Sequence, residues 1–320
     1  MLRYIVKRLL WMIAIMVSVA ILIFTLMFFA PGDPVETLIG SDATEVEKEA
    51  IREEWGLNDP FIVQLGRYLY DTFIRLDLGT SYTLRIPVIR EFASRLPRTL
   101  ALGLLCVAVE IVIGIPLGIL AANRRNKLAD KLVMLGAAAG VSVPGFWLGL
   151  LMVMLFSVKL GWLPPFGIGT WKHWIMPIIA GSVSGVAMTA RQTRSAVLEV
   201  IRADYVTTAR AKGLSENTVT YKHMLPNALI PIINSVAGRL SGAIAGTVVV
   251  ETVFTFPGIG TLLSEAVSAR DYPTVRSCVL ILALFSAFVM LFVDLIYAYI
   301  DPRIKAQYTR RKAKRGGKRL

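Results

Sequence analysis

Long apolar stretches separated by short polar ones run along most of this chain. The first, residues 9–30, has Ser18 and Thr25 as its only polar members. At about 1.5 Å per residue, a helix of this length reaches about 33 Å, enough to cross the hydrocarbon core of a bilayer. Further stretches of this kind lie at 100–122, 132–158, 174–196, 229–254 and 275–300. The pattern predicts an all-α polytopic membrane protein with six transmembrane helices.

Composition supports a membrane protein and argues against nucleic acid as a partner. Of the 320 residues, 55% are hydrophobic and 18% are charged, whereas a soluble domain has roughly 25% charged residues. The net charge is +13, but nine Lys and Arg residues lie within 301–320 alone. A basic tail after a membrane span is typical of a topology signal or of contact with anionic lipid. No nucleic-acid-binding motif accompanies it, so membrane lipid is the expected partner.

The loop charges predict the orientation. Residues 1–8, 123–131, 191–225 and 301–320 contain 22 Lys and Arg, whereas 159–173 and 255–274 contain three. The positive-inside rule then places both termini in the cytoplasm of a cell (inner or plasma) membrane. The first apolar stretch is longer than a signal-peptide core and lacks a good cleavage site, so residues 1–30 are expected to keep their helix. We expect a cap at 31–98, a five-helix core at 99–300 and a basic cytoplasmic tail at 301–320.

The segment 31–98, which we call the cap, is expected to lie outside the cytoplasm and to contain two helices. One begins near Ser41, Asp42 or Thr44, which are good N-cap residues, and ends at Gly56. The second carries apolar residues on one face and stops at Gly79.

Four aromatic residues of the cap, Trp55, Phe61, Tyr68 and Tyr82, are costly to expose. We expect them either to contact an external partner or to pack the cap itself, and the sequence leaves both alternatives open.

Residues for enzyme chemistry or metal binding are missing from the sequence. Cys106 and Cys278 both fall inside predicted spans, and His173 and His223 lie in different loops without metal-ligand spacing. No catalytic dyad falls within the spans, and no phosphate-binding Gly-x4-Gly-Lys-Ser/Thr motif is present. These absences argue against an intramembrane enzyme. The absence of an inverted repeat disfavours an ion-coupled secondary transporter.

A polar segment at 204–226, which we call the elbow, separates two of the apolar stretches. Asp204 is suited to cap a first helix, and Gly213 to stop it with a left-handed backbone. Ser215 is suited to cap a second helix, and Pro226 opens the next apolar stretch. Two short helices meeting at a bend would offer a rigid knob to a partner on the cytoplasmic side.

The elbow resembles the Glu-Ala-Ala-x3-Gly-x9-Ile-x-Leu-Pro motif of ABC-importer permeases. Its matching positions are Ala209, Gly213, Leu225 and Pro226, while Thr207, Thr208 and His223 replace the Glu, the first Ala and the Ile. The blocks "FFAPGDP", "LDLGTSY", "GIPLGILAA", "ETVFTFPGIG" and "YAYIDPRIK" are similar, in the same order, to the dipeptide, oligopeptide and nickel branch of that family.

This resemblance implies the type I ABC-importer permease fold and a coupling loop at 199–226 that docks on an ATPase subunit. It also implies a homologous second permease, two ATPase subunits and an extracytoplasmic substrate-binding protein as partners. ATP and Mg²⁺ would bind to the ATPase subunits, so this chain carries no cofactor of its own. The substrate implied is a dipeptide or oligopeptide, with nickel or another small solute as the alternative.

Two charges fall near the middle of predicted spans. Glu110 lies midway along 100–122, and Arg239 lies just before the centre of 229–254. A lone charge at the bilayer centre costs on the order of 3 kcal/mol or more, so each should face protein or water and find a partner. We expect the two residues to pair across the bundle or to line the translocation pathway, and contact of either charge with a partner permease is a third alternative that the sequence leaves open.

Overall fold

The computed structural model describes residues 2–39 and 43–300, and most of these are helical. In chain order the helices are α1 (Leu2–Phe28), α2 (Pro34–Ile39), α3 (Glu45–Glu54), α4 (Phe61–Tyr70), α5 (Val88–Asn123), α6 (Leu128–Ser142), α7 (Gly145–Met152), α8 (Lys172–Val200), α9 (Asp204–Ala211), α10 (Glu216–Thr218), α11 (Leu225–Val253), α12 (Ile259–Ser268) and α13 (Tyr272–Ile300). Wider π-helical turns at Asp71–Arg75, Val153–Lys159 and Val219–Met224 follow α4, α7 and α10. Within the described ranges, β pairing is confined to an isolated bridge between Thr80 and Pro87. The all-α prediction is confirmed.

Four helices, α1, α5, α8 and α13, are long and apolar enough to cross a membrane. α6 combined with α7 and its π turn would be a fifth span if the bent pair crosses as one, and the two parts meet at 95°. The apolar stretch expected at 132–158 is therefore helical but broken near its middle. Pro144 follows the break and cannot donate a backbone hydrogen bond, and Val143 before it is extended. The sixth expected span lies in α11, where the side chains of 240–246 are outside the described set, so the count of six stays a prediction.

Two helix boundaries differ from those expected. α5 begins at Val88 rather than near residue 100, because Phe92 and Leu96 give its polar first turns an apolar face that packs on α12. The boundary expected at 98 therefore falls inside a helix. The second cap helix ends at Leu76 instead of Gly79. Leu76 is left-handed with φ of 56°, and its N–H donates to the carbonyl of Asp71, which closes the π turn.

The start of α3 follows one of the three expected N-caps. Thr44 Oγ1 accepts a hydrogen bond from the N–H of Glu47, and the N–H of Thr44 donates to Glu47 Oε2 at 2.9 Å. This reciprocal capping box satisfies two donors that the first turn of a helix would otherwise leave free. The alternatives Ser41 and Asp42 lie outside the described residues, as does the basic tail at 301–320.

The described residues form two compact units, and several helices have residues in both. Unit 1 comprises the described residues within 1–102, 153–177 and 244–285. Unit 2 comprises the described residues within 103–152, 178–243 and 286–320. In unit 2, glycines bring α5 and α8 together: a Cβ at Gly118 would lie 2.5 Å from the carbonyl oxygen of Ala190. Small residues permit such approaches between membrane helices, where dispersion contacts stabilise packing.

In unit 1, the block "ETVFTFPGIG" positions α12 across the end of α11. Ile259 N–H donates to Thr99 Oγ1 at 2.8 Å, and Gly260 N–H donates to the buried Glu251 Oε2 at 2.6 Å. A Cβ at Gly258 would lie 2.3 Å from Glu251 Oε2, so a larger residue there would displace the buried Glu251 side chain. The short helix expected near residues 261–269 is observed as α12.

Candidate functional site

The elbow contains α9, α10, the π turn and the first residues of α11. Gly213 bends the chain with φ of +76°, and Ser215 Oγ accepts a hydrogen bond from the N–H of Thr218 at 3.4 Å to cap α10. The expected cap by Asp204 is wrong, because Ala203 is the N-cap residue and makes no side-chain bond. Asp204 instead lies in the first turn, where its negative charge complements the helix dipole.

One face of the elbow is fixed to the rest of unit 2. Val206 and Ala209 of α9 and Met224 of the π turn are buried. They belong to one apolar cluster with residues from the C-terminal ends of α5 and α8 and from α11: Ile119, Ala122, Ala196, Val197, Ala228 and Ile232. A displacement of the elbow would therefore be transmitted to three long helices through close packing.

The opposite face of the elbow is exposed. Thr207, Thr208 and Gly213 face solvent, Pro226 is exposed and Leu225 is half-buried. Three large side chains accompany them: Tyr205, Leu214 and Tyr221 are 42%, 38% and 61% exposed. Large apolar side chains exposed on a polar loop are candidates for contact with another protein.

An ion pair joins the two arms of the elbow. Arg210 binds Glu216 through two hydrogen bonds, Nε to Oε1 at 2.8 Å and Nη2 to Oε2 at 3.2 Å. This paired contact spans the bend at Gly213, so the arms have a defined angle.

The structure brings Glu110 and Arg239 together. Arg239 Nε lies 3.4 Å from Glu110 Oε2, and the glutamate side chain is 8% exposed. Arg239 also donates to Ser235 Oγ at 3.1 Å and to Thr189 Oγ1. Each charge therefore has partners inside unit 2, as a low-dielectric site requires.

Several neighbours of this pair were missed by sequence reasoning. A Cβ at Gly185 would lie 1.9 Å from Glu110 Oε1, so glycine makes room for the carboxylate. Ser235 Oγ donates to Gln192 Oε1 at 2.7 Å, which extends the polar contacts along α8. Gly185, Thr189 and Gln192 follow one face of α8 at helical spacing, a signal that marks a small and polar stripe in an apolar helix.

In unit 1, all four expected cap residues contact other aromatic rings of the same chain. Trp55 stacks on Tyr82 with centroids 3.8 Å apart and planes 3° apart. Phe61 lies against Phe24 and Phe28 of α1 and against Phe29, the residue that follows α1. Tyr68 stacks on Phe24 at 5.5 Å. All four are half-buried, so parts of their rings remain accessible.

Asp271, which the sequence did not single out, ties this region together. The buried carboxylate accepts hydrogen bonds from Ser81 Oγ at 2.5 Å, the N–H of Tyr82 at 3.1 Å and Thr274 Oγ1 at 2.8 Å. It thereby holds the loop that carries Tyr82 beside the start of α13. Burial raises the pKa of Tyr82, and the nearby Arg276 charge opposes that shift.

Two family models match the chain. One, described as "Binding-protein-dependent transport system inner membrane component", covers residues 114–306, and its N-terminal companion covers 1–103. A dipeptide transport system permease, DppB of Alkalihalophilus pseudofirmus, is 38% identical across 95% of this chain and 100% of its own length. A glutathione transport system permease, GsiC of Escherichia coli K12, is 39% identical across 95% of this chain and 99% of its own.

Solved structures share the fold at lower identity. A chain of the MetNI methionine ABC transporter superposes with a TM-score of 0.56 at 19% identity, covering 67% of this chain and 97% of its own. A chain of an amino acid ABC transporter gives 0.55 at 14% identity, covering 66% and 95%. The family matches, the near full-length relatives and the apolar helices together define a transporter permease. The chain belongs to the family of inner membrane components of binding-protein-dependent transport systems.

Proposed function

We propose that this chain is one permease half of an ATP-driven importer of short peptides. The support is the combination of family membership with two relatives, 38% and 39% identical over nearly the whole chain, that are named for dipeptide and glutathione transport. A homologous permease would supply the other half of the pathway, and six spans would place both termini in the cytoplasm. Two separate ATPase subunits would bind ATP and Mg²⁺, and an external binding protein would deliver the peptide.

The elbow is the proposed contact with an ATPase subunit. Its exposed face carries Tyr205, Leu214 and Tyr221, while Val206 and Ala209 on its other face pack against three long helices. Closure of the ATPase pair would move the exposed face, and the buried face would carry that movement into α5, α8 and α11. The Arg210–Glu216 pair and the bend at Gly213 would keep the two arms of the elbow at one angle during that movement.

Glu110 and Arg239 are proposed as a polar element of the pathway. Their network reaches Thr189, Gln192 and Ser235, a chain of groups that could hydrogen-bond a peptide in transit. The Arg239 side chain is 21% exposed on this chain, so part of it remains accessible to a peptide. The cap is proposed to contact the binding protein on the opposite side of the membrane.

Reconstitution tests this function. The chain would be assembled with its second permease and ATPase subunits in lipid vesicles, with the binding protein outside, and uptake of a labelled dipeptide measured with and without ATP. We expect ATP-dependent uptake that unlabelled di- and tripeptides inhibit and Ni²⁺ does not. Uptake of ⁶³Ni²⁺ without peptide uptake would support the nickel alternative instead. Among the residues that the structure describes, no group of three or more His, Cys, Asp or Glu side chains could hold a metal ion.

A further inference from the structure

A cavity of about 500 Å³ lies within unit 1, between the cap and the ends of α1 and α13. Its apolar wall includes Phe24, Met27 and the stacked pair Trp55 and Tyr82. The volume falls in the range of about 300–1,000 Å³ that is usual for small-molecule sites. Its walls come from five separate parts of the chain, so the cavity belongs to the tertiary fold rather than to one loop.

Arg276 supplies a cation to this cavity that forms no salt bridge in the described part of the chain, although the Asp271 carboxylate interacts with it electrostatically. Its Nε donates to the carbonyl of Tyr272 at 3.2 Å, and its guanidinium lies over the rings of Tyr68 and Phe24 at 4.9 and 5.3 Å. Among the described residues it forms no salt bridge. The Tyr68 hydroxyl beside it is buried: Thr72 lies near, but no hydrogen bond of normal geometry forms. The Arg276 guanidinium and the Tyr68 hydroxyl therefore both line the cavity, and the hydroxyl has no acceptor.

The other charges that line the cavity are accounted for, with one exception. Arg52 pairs with Asp33, Arg67 pairs with Asp59, and Asp71 lies 3.3 Å from Arg75. Asp77 accepts a hydrogen bond from the N–H of Gly79 at 2.8 Å but has no cationic partner in the described part of the chain. Among the described residues, Arg276 and the exposed Asp77 thus line the cavity without a salt bridge.

We propose that the cavity binds a small zwitterion, a short peptide with free termini, with its carboxylate on Arg276 and Tyr68 and its ammonium group towards Asp77. A guanidinium matches the geometry of a carboxylate through paired hydrogen bonds. The Trp55–Tyr82 wall offers an apolar surface to a side chain. This goes beyond the proposed transport function, on which it rests only for the choice of a peptide as ligand.

The test pairs ligand changes with residue changes. The full chain in phosphatidylcholine nanodiscs would be titrated calorimetrically with Ala-Phe, its C-terminal amide and its N-acetyl form. We expect wild type to bind the C-terminal amide at least tenfold more weakly than free Ala-Phe. The Arg276→Gln variant should bind free Ala-Phe as weakly as wild type binds the amide, and its affinities for the two ligands should be equal. Asp77→Asn should in the same way lose the distinction between the free and acetylated amino terminus. Equal affinity of wild type for all three ligands, or no binding at millimolar peptide, would overturn the proposal.

Controls separate a lost ligand contact from a lost fold. Arg90→Gln removes an exposed cation from the same unit without touching the cavity, and it should bind like wild type. Arg276→Lys keeps the charge in case Arg276→Gln fails to fold, and it should still prefer the free carboxylate. The amidation result on wild type needs no variant at all.

Two further measurements test for another occupant of the cavity and separate this proposal from the transport function. If phosphatidylglycerol in the nanodisc abolishes peptide binding, the cavity is a lipid-headgroup site and the peptide proposal fails. Uptake by the reconstituted importer is measured with the same Ala-Phe. Normal uptake without binding to the isolated chain refutes this inference alone, whereas binding without uptake leaves it standing and refutes the transport function.

Discussion

The elbow and the cap cavity are built by opposite means. The elbow is local: its cap, its bend and its ion pair all lie within residues 204–226, and Arg210 is six positions from Glu216. The cap cavity is convergent: Asp271 binds Ser81 across 190 positions, and Arg276 lies over Phe24 from the far end of the chain. One region presents an exposed face, and the other lines a cavity with residues from five parts of the chain.

This difference predicts how each region should respond to substitution. Convergent contacts hold separate helices together, so losing one leaves buried polar groups unsatisfied and reduces stability. Local contacts shape a loop that the rest of the unit supports, so losing one should change function more than stability. The four predictions below test that ordering, from the largest expected loss of stability to the smallest.

The Glu110–Arg239 pair is a convergent contact within unit 2, the unit that carries the elbow. Glu110→Arg and Arg239→Glu should each lower stability by about 3–5 kcal/mol, because each leaves a buried charge without its partner. The double exchange should recover much of the loss in thermal denaturation and restore uptake. A double variant no better than the singles would show that the two charges do not depend on each other. Normal uptake by both singles would exclude them from the pathway.

Asp271 makes convergent contacts in unit 1, and losing them should also lower stability. Asp271→Ala leaves Ser81, Thr274 and the N–H of Tyr82 without their acceptor, and should cost about 3 kcal/mol. Limited proteolysis should then cleave the loop around residues 79–87 faster. Ser268→Ala removes an exposed hydroxyl that bonds only its own helix, and it serves as the control. Equal cleavage of both variants would contradict a convergent origin for this part of the cap.

Gly213 tests the elbow through its backbone. At φ of +76°, Gly213→Val should add about 1–2 kcal/mol of strain, although a Cβ there meets no atom within 4 Å. The protein should insert and fold, but the loaded binding protein should no longer stimulate ATP hydrolysis by the reconstituted complex. Gly213→Asn is the matched control, since Asn tolerates the left-handed region. Wild-type stimulation in the Val variant would refute the need for this bend.

The Arg210–Glu216 pair should show the smallest effect on stability. Both side chains are more than a third exposed, so Arg210→Gln should cost less than about 1 kcal/mol. Stimulation of ATP hydrolysis should fall more than the melting temperature does, because the angle between α9 and α10 loosens. Arg202→Gln, an exposed change outside the pair, should alter neither. A large loss of stability in Arg210→Gln would place the elbow with the convergent regions.

Much of the architecture could be predicted because it depends on local order along the chain. Apolar length indicated where α1, α5, α8 and α13 cross, and Thr44 and Gly213 marked a helix start and a bend by their backbone chemistry. The break before Pro144 was missed because the apolar pattern continues through it, although proline carried the signal. The π turn that follows α4 ends at Leu76, and no residue type predicts that geometry.

The convergent sites had to come from tertiary structure. Glu110 and Arg239 were expected to find partners, because an isolated charge in a membrane is costly, but periodicity could not say that Thr189 and Ser235 complete the network. Asp271 and Arg276 gave no sign of their roles, since each acts on groups nearly two hundred or more positions away. A single sequence records which face of a helix is apolar. Which helices meet, and which charges remain unpaired between them, is decided by packing of the whole unit.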